Sequence, residues 1–126
     1  MKDSCFLILG VILMISFSSC KKEPNDNYFD SITCNDPDDS LNTYNQKIGE
    51  IFNLNCVHSG CHDNGTHKGK VNLDGYDNCV SSFNKKKILC SIYQDKHCKP
   101  MPKGGGKLSD AVLHDITCWV KNNYPH

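Results

Sequence analysis

The residues of this chain with the richest chemistry lie together in one short segment, residues 56–62. It contains two cysteines, Cys56 and Cys61, and a histidine, His62, which follows the second cysteine directly. Thiols can form a disulfide, bind a soft metal or bond covalently to a cofactor, and an imidazole can donate a lone pair to a metal. The close spacing of three such groups therefore indicates a functional site.

Two cysteines followed at once by a histidine form the attachment pattern of c-type haem. The two thiols add across the two vinyl groups of the haem, and the imidazole binds the iron. The usual spacing is C-x2-C-H, whereas this chain has C-x4-C-H. The two additional residues must bulge outwards, and Gly60 can supply the unusual backbone angle that a bulge needs. The motif thus predicts Cys56 and Cys61 as the covalent haem ligands and His62 as an axial iron ligand.

The segment from Tyr44 to the C-terminus resembles small bacterial single-haem cytochrome c domains of secreted and lipid-anchored proteins. The shared pieces are an amphipathic helix, the haem motif, an L-x-x-Y segment, a Met-Pro loop with glycines, and a Leu-Ser-Asp start to a Trp-containing helix. In this sequence they are residues 44–52, residues 56–62, residues 73–76, Met101-Pro102 with residues 104–106, and residues 108–110 with Trp119. The resemblance implies an all-α, cytochrome c-like fold in which the first and last helices cross over one haem edge.

The resemblance also implies that Met101 is the sixth ligand of the haem iron. Its thioether is a soft donor that suits ferrous iron, and a Met/His ligand pair raises the reduction potential. Pro100 and Pro102 restrict the loop around it. The alternatives are that Met101 is an ordinary exposed loop residue, or that His97 or His67 binds the iron in its place.

Two other interpretations use the same residues. Cys56 and Cys61 could form a disulfide, which would leave His62 as a surface residue, and small exported domains often need such bridges. Zinc could instead be held by Cys56, Cys61, His62 and one more cysteine or histidine. Exported chains seldom keep reduced thiols for zinc, so this interpretation ranks below the other two.

Helical periodicity predicts the elements that must position the motif. The first helix is expected from Leu41 to about Asn53, with Ser40 as its N-cap. Shorter helices are expected over residues 77–83 and 88–93, separated by a solvated lysine turn. Ser109 is expected to cap the last helix, where Val112, Leu113, Ile116, Trp119 and Val120 form an apolar face.

Nine cysteines among 126 residues are too many for an ordinary cytosolic chain and favour an oxidising compartment. Five of them lie outside the motif and the N-terminal region: Cys34, Cys79, Cys90, Cys98 and Cys118. Cys90 and Cys98 flank a short loop just before the Met-Pro loop, so a bridge between them would brace it. Cys118 could pair with Cys79 or with Cys34.

The N-terminal region has the pattern of a secretory signal. Residues 5–17 carry no charge, and thirteen residues are too few for a membrane-spanning helix, which needs about 20. The run ends in Phe-Ser-Ser-Cys, which resembles the bacterial lipoprotein cleavage box. We therefore expect a signal peptide over residues 1–19, a lipidated Cys20 at the start of a flexible tether over residues 20–39, and the cytochrome c-like domain over residues 40–126.

The tether is rich in Asp, Asn and Pro and has no sustained apolar period, which is typical of a linker. The side chains in it that could pack against or bond to the domain are Tyr28, Phe29, Ile32 and Cys34. Part of the tether is therefore expected to lie along the domain surface, with Cys34 in a disulfide. His126, at the opposite end, is expected to be disordered.

The charges balance, with 14 basic residues, all lysines, against 14 acidic ones. A nucleic-acid protein would need a basic surplus, so nucleic acid is not an expected partner. No catalytic constellation is visible in the sequence. The expected function is electron transfer by a lipid-anchored cytochrome with one covalent haem c and redox proteins of the bacterial cell envelope as partners. The alternative is a non-redox envelope lipoprotein, such as a binding module, whose cysteines form structural disulfides; a haem enzyme or sensor with a displaceable sixth ligand is a third possibility.

Overall fold

The computed structural model describes residues 24–35 and 37–126. Its α-helices are α1 (Gly49–Asn55), α2 (Tyr76–Lys85), α3 (Ile88–Ile92) and α4 (Asp110–Lys121). Short 3-10 turns occupy Asp26–Tyr28, Pro37–Leu41 and Lys68–Lys70, and a π-helical turn, Tyr44–Ile48, leads into α1. The described residues contain no β-strand, which confirms the all-α prediction for this part of the chain. The predicted signal peptide and lipid site at Cys20 lie outside these residues.

Helix α4 forms as its sequence predicts. The Ser109 hydroxyl accepts a hydrogen bond from the backbone N–H of Val112 at 3.3 Å, so it satisfies one of the free donors of the first turn. Asp110 adds a negative charge where the helix dipole favours one. The predicted apolar face of α4 lies inwards, and Trp119, in the last turn of the helix, is fully buried.

The first helix begins later than the sequence predicts. Thr43, not Ser40, is the N-cap, and its hydroxyl accepts from the backbone N–H of Gln46 at 3.3 Å. Ser40 lies instead in a separate 3-10 turn, Pro37–Leu41. Leu41 is 51% exposed, so it is not part of the inward face. The predicted cap at Ser40 is therefore wrong, and the reason is that serine and threonine are both good N-cap residues, so residue type alone does not locate the cap.

Aromatic side chains join α1, α2 and α4 in the core. The ring of Trp119 on α4 packs edge-on against Phe52 on α1, with centroids 5.8 Å apart, and against Phe83 on α2, at 5.6 Å. All three side chains are buried. Aromatic residues bury more area than other side chains and prefer such edge-to-face contacts, so this cluster fixes how the three helices meet.

Helices α2 and α3 occupy the predicted regions with slightly different ends. The sequence predicts a helix over residues 77–83, and α2 runs from Tyr76 to Lys85. It predicts another over residues 88–93, and α3 ends one residue earlier, at Ile92. The lysine turn, residues 85–87, carries the chain from one helix to the next. Both helices contribute buried side chains to the core.

Residues 24–35, which we call the strap, lie along the outside of the helices. Tyr28 and Phe29 pack against the core, and Cys34 forms a disulfide with Cys118 on α4. The predicted attachment of this segment is therefore confirmed. Lys121 reinforces it by donating hydrogen bonds from its ammonium group to the backbone carbonyls of Phe29 and Ile32, at 2.9 and 2.8 Å.

The C-terminus is also attached to the fold. The His126 ring packs against Tyr76, with centroids 4.4 Å apart, and lies 6.4 Å from the ring of Tyr44. The expectation that His126 is disordered was therefore wrong, because aromatic neighbours hold a ring that its terminal position alone does not fix. Within the described residues, no helix combines the length and apolar character that crossing a membrane requires.

Candidate functional site

The predicted haem motif forms a closed loop at the end of α1. The backbone N–H of Cys56 donates to the carbonyl of Phe52 at 2.8 Å, which ends the helix. The N–H of His62 donates back to the carbonyl of Cys56 at 3.3 Å, so the two ends of the motif lie side by side. Gly60 has φ +82°, a region that other residues rarely occupy. The expected role of Gly60 in the bulge is thus confirmed.

Both cysteines of the motif are free thiols, as is Cys79. Cys56 is half-buried, and burial together with the nearby Cys61 thiol raises its pKa to about 12. Cys61 is exposed. The thiols of Cys56 and Cys61 are thus neighbours but are not bridged, although four other cysteines of the chain form disulfides. A pair of unbridged thiols is what covalent attachment of a haem requires.

The His62 ring is fixed in one tautomer by the backbone. Its Nδ1 lies 3.2 Å from the carbonyl oxygen of Val71. A carbonyl can only accept a hydrogen bond, so Nδ1 carries a proton, and in the neutral ring Nε2 keeps its lone pair. Metal-binding histidines almost always have this second contact, which orients the ring and makes the ligand more basic. The backbone N–H of Leu73 donates to the His62 carbonyl at 2.9 Å and holds the same two segments together.

Met101 lies on a separate segment that is attached to α3. Its side chain is half-buried and packs against the core, and its backbone N–H donates to the carbonyl of Ser91 at 3.0 Å. The Cys90–Cys98 disulfide closes the chain between α3 and this loop. The predicted bracing bridge is therefore confirmed, and Met101 is not the fully exposed residue that the alternative interpretation requires.

The rival histidines lie at the surface. His97 is exposed, with its backbone N–H bound to the Asp95 carboxylate at 3.0 Å. His67 is also exposed. His58 lies within the bulge, where its Nε2 donates to the carbonyl of Leu54 at 3.1 Å. None of these three rings has the combination of partial burial and a carbonyl-bound Nδ1 that His62 has.

Among the described residues, one group of three side chains could hold a metal ion: Asp39, His114 and Cys118. The sulfur of Cys118 is already bonded to Cys34, so it cannot act as a thiolate ligand while that disulfide is intact. The zinc set suggested by the sequence is built on Cys56, Cys61 and His62, and it does not form such a group.

Cys79 is buried directly behind the motif. Its thiol donates to the carbonyl of Leu73 at 3.2 Å, and burial raises its pKa to about 12. Tyr44 contacts the same thiol. Burial raises the pKa of Tyr44 to about 12, and the charge that Cys79 carries as a thiolate is the second cause of this increase. Sequence reasoning offered Cys79 as a partner for Cys118, but Cys118 pairs with Cys34.

Two surface cavities lie away from the motif. The larger, of about 690 Å³, is bounded by the strap, α2, α4 and the C-terminus, and its lining includes Phe29, Tyr76, Val120 and Tyr124. The smaller, of about 350 Å³, lies beside α2. Neither is lined by Cys56, Cys61, His62 or Met101.

The donor set at the motif fits a covalently bound c-type haem. It offers two unbridged thiols and one imidazole whose Nε2 lone pair is free, and all three belong to a loop whose ends are hydrogen-bonded together. The Val71 carbonyl is a contributor that sequence reasoning missed, because a backbone acceptor has no residue-type signature. Comparisons of this chain with protein-family models, with curated proteins and with solved structures found no match.

Proposed function

We propose that this protein is a lipid-anchored c-type cytochrome that transfers electrons and is not an enzyme. The observation that carries the proposal is the hydrogen bond from His62 Nδ1 to the Val71 carbonyl, beside two thiols that remain unbridged. A surface histidine in a disulfide-stapled scaffold would have no need of this orientation. The resemblance to single-haem cytochrome c domains supports the same assignment.

Each residue of the site has one task in this proposal. Cys56 and Cys61 would hold the haem through thioether bonds, and the Nε2 of His62 would bind its iron. Met101, on the loop that the Cys90–Cys98 disulfide braces, would offer its thioether as a second ligand of the iron. When bound, the haem would supply an iron that exchanges one electron between its ferric and ferrous states. With two protein ligands, the iron would have no position left for a substrate, which favours electron transfer over catalysis.

The proposed location is the bacterial cell envelope, with the domain held at a membrane through a lipid on Cys20. Its partners would be redox proteins of the same compartment. The sequence has zero net charge, so long-range electrostatic steering by the molecule as a whole is weak and encounters are expected to be short-lived.

Intact mass tests haem attachment directly. The chain is produced in a host with cytochrome c assembly machinery, and its mass is measured after denaturation. We expect the mass of the processed chain plus one haem, and sharp reduced absorption bands of a c-type haem. Cys56→Ser/Cys61→Ser should lose the added haem mass on denaturation, because neither thioether bond can form, whereas Cys79→Ser, which changes a thiol outside the motif, should keep it. A colourless wild-type protein without added haem mass would refute the proposal and favour the disulfide-stapled lipoprotein.

The axial ligand is tested by a pair of variants. Met101→Ala should change the ferric spectrum and lower the reduction potential, because a soft thioether favours ferrous iron. His97→Ala should leave both unchanged. The opposite pattern would assign the sixth position to His97, and an unchanged spectrum in both variants would exclude both residues.

A further inference from the structure

The point at which the N-terminal tether joins the domain is fixed by one buried side chain, Asn25. Its amide nitrogen donates to the backbone carbonyls of Phe83 and Lys86, at 2.7 and 3.1 Å. Its amide oxygen accepts from the backbone N–H of Leu89 at 3.0 Å. These three groups end α2 and begin α3, so the strap starts at the lysine turn between the two helices.

Very little chain separates this point from the proposed lipid site. Only residues 21–24 lie between Cys20 and Asn25. Fully extended chain covers at most about 3.5 Å per residue, so the Cα of Asn25 stays within about 18 Å of the Cα of Cys20 in any conformation. A lipid on Cys20 would therefore keep the lysine turn close to the membrane, even though the sequence suggested a tether of some twenty residues.

The surface at this point is suited to anionic headgroups. Lys85 and Lys87 are exposed, and Lys86 is half-buried. The 350 Å³ cavity adjoins the turn through Lys85 and is also lined by Lys70 and His67. The other residues of its lining are amides and hydroxyls: Asn72, Asn78, Ser81 and Ser82. A depression lined by lysines and neutral hydrogen-bonding groups, without a carboxylate, suits a phosphate group.

We propose that the lysine turn and the adjoining cavity form a membrane-facing surface that binds anionic phospholipid headgroups. The inference rests on the proposed lipid anchor at Cys20 but not on the haem. Acidic side chains of the strap, Asp26 and Asp30, lie close in sequence to Asn25 and reduce the attraction. Asp77, one turn before Ser81 on α2, and Asp74, which accepts a hydrogen bond from Asn64, lie near the cavity and reduce it further. The lining of the cavity itself contains two lysines and no carboxylate. The surface thus gives the anchored domain a preferred orientation that its neutral total charge does not suggest.

Lysine acetylation of the full-length lipidated protein tests this orientation. The protein is reconstituted in vesicles of phosphatidylcholine, with or without phosphatidylglycerol, and a water-soluble reagent labels its amines. Peptide mass spectrometry should show labelling of Lys85 and Lys87 slowed roughly fivefold by phosphatidylglycerol, the factor expected for the attraction of one lysine to an anionic surface. High salt should remove the protection. The exposed lysines of the Met101 region, Lys96, Lys99 and Lys103, serve as internal controls and should be labelled equally in both vesicles.

Matched variants complete the test. Lys85→Gln/Lys86→Gln/Lys87→Gln should abolish the phosphatidylglycerol-dependent protection of Lys70, and Lys96→Gln/Lys99→Gln/Lys103→Gln should preserve it. Equal labelling of the turn in both vesicles would overturn the inference, as would equal protection by inorganic phosphate without vesicles, which would indicate a site for free phosphate. An intact mass without acyl groups would remove the anchor and this inference together. If Lys85 and Lys87 are unprotected in a protein that carries both lipid and haem, only the proposed membrane orientation is refuted, and the lipid anchor and the haem remain.

Discussion

One buried amide connects the strap to two helices. Asn25 is only 2% exposed, and both ends of its side chain are hydrogen-bonded to backbone groups of the α2–α3 junction. A buried polar group costs free energy unless it is paired, and the loss of one partner leaves the others unsatisfied. The contribution of Asn25 is therefore larger than that of a typical surface asparagine.

We expect Asn25→Ala to lower the free energy of unfolding by about 2 kcal/mol, because two carbonyls and one N–H lose their buried partner. Asn27 provides a matched control, since it lies two residues away on the same strap and is exposed. Asn27→Ala should change the free energy of unfolding by less than about 0.5 kcal/mol. Denaturant unfolding measures both values, and similar losses in the two variants would contradict the role of the Asn25 side chain.

At the residue scale, the sequence predicts the chemistry of a group better than its partners. Residue type and spacing identified Cys56, Cys61 and His62, because thiols and imidazoles have few common uses at such spacing. The acceptor for His62 is a backbone carbonyl, at Val71, and the acceptors for Asn25 are also carbonyls. Every residue has a carbonyl, so no sequence pattern distinguishes the one that folding brings to a given side chain.

At the scale of the elements, the π-helical turn before α1 depends on a close approach at Gly49. A Cβ atom at Gly49 would lie 3.0 Å from the carbonyl oxygen of Tyr44 and 3.1 Å from an atom of its ring. The ring cannot easily move away, because it packs against Tyr76 and Trp119, with centroids 5.5 and 6.2 Å away. The glycine is therefore needed for space, since its φ of −59° suits any residue.

Gly49→Ala is expected to destabilise the fold by about 1 kcal/mol. Alanine gains about 1 kcal/mol in helix propensity, but forced overpacking costs about 1–3 kcal/mol, and the backbone carbonyl cannot yield as a flexible side chain would. Gly106→Ala is the control, because a Cβ there meets no atom within 4 Å. Thermal or denaturant unfolding compares the two variants, and a stabilised Gly49→Ala protein would show that Tyr44 can move.

Helix α4 and the first helix show why some elements are predictable and others are only partly so. The start of α4 is determined locally, by the Ser109 cap and the Asp110 charge, and the sequence pattern contains both. The start of the first helix depends on the space between Tyr44 and Gly49, a contact that one-dimensional periodicity does not include. The periodicity therefore places the cap at Ser40, three residues before the observed cap, Thr43.

At the scale of the whole molecule, two disulfides close loops of very different length. Cys34–Cys118 joins residues 84 positions apart, and Cys90–Cys98 joins residues 8 apart. The sequence favoured the short bridge because its cysteines flank one loop, but it left the partner of Cys118 open between Cys34 and Cys79. Only the course of the strap across α4 decides between them, and that course depends on long-range contacts such as those of Asn25 and Lys121.

The two bridges should differ in their contribution to stability, because a cross-link restricts the unfolded chain more when it closes a longer loop. Replacing both cysteines of the long bridge, Cys34→Ala/Cys118→Ala, should cost about 4.5 kcal/mol, against about 2.5 kcal/mol for Cys90→Ala/Cys98→Ala. The comparison is well matched, since each pair has one buried and one half-buried cysteine. Denaturant unfolding of the two double variants gives the difference. Equal or reversed losses would mean that the strap stays ordered in the unfolded chain, or that its other contacts hold it without the disulfide.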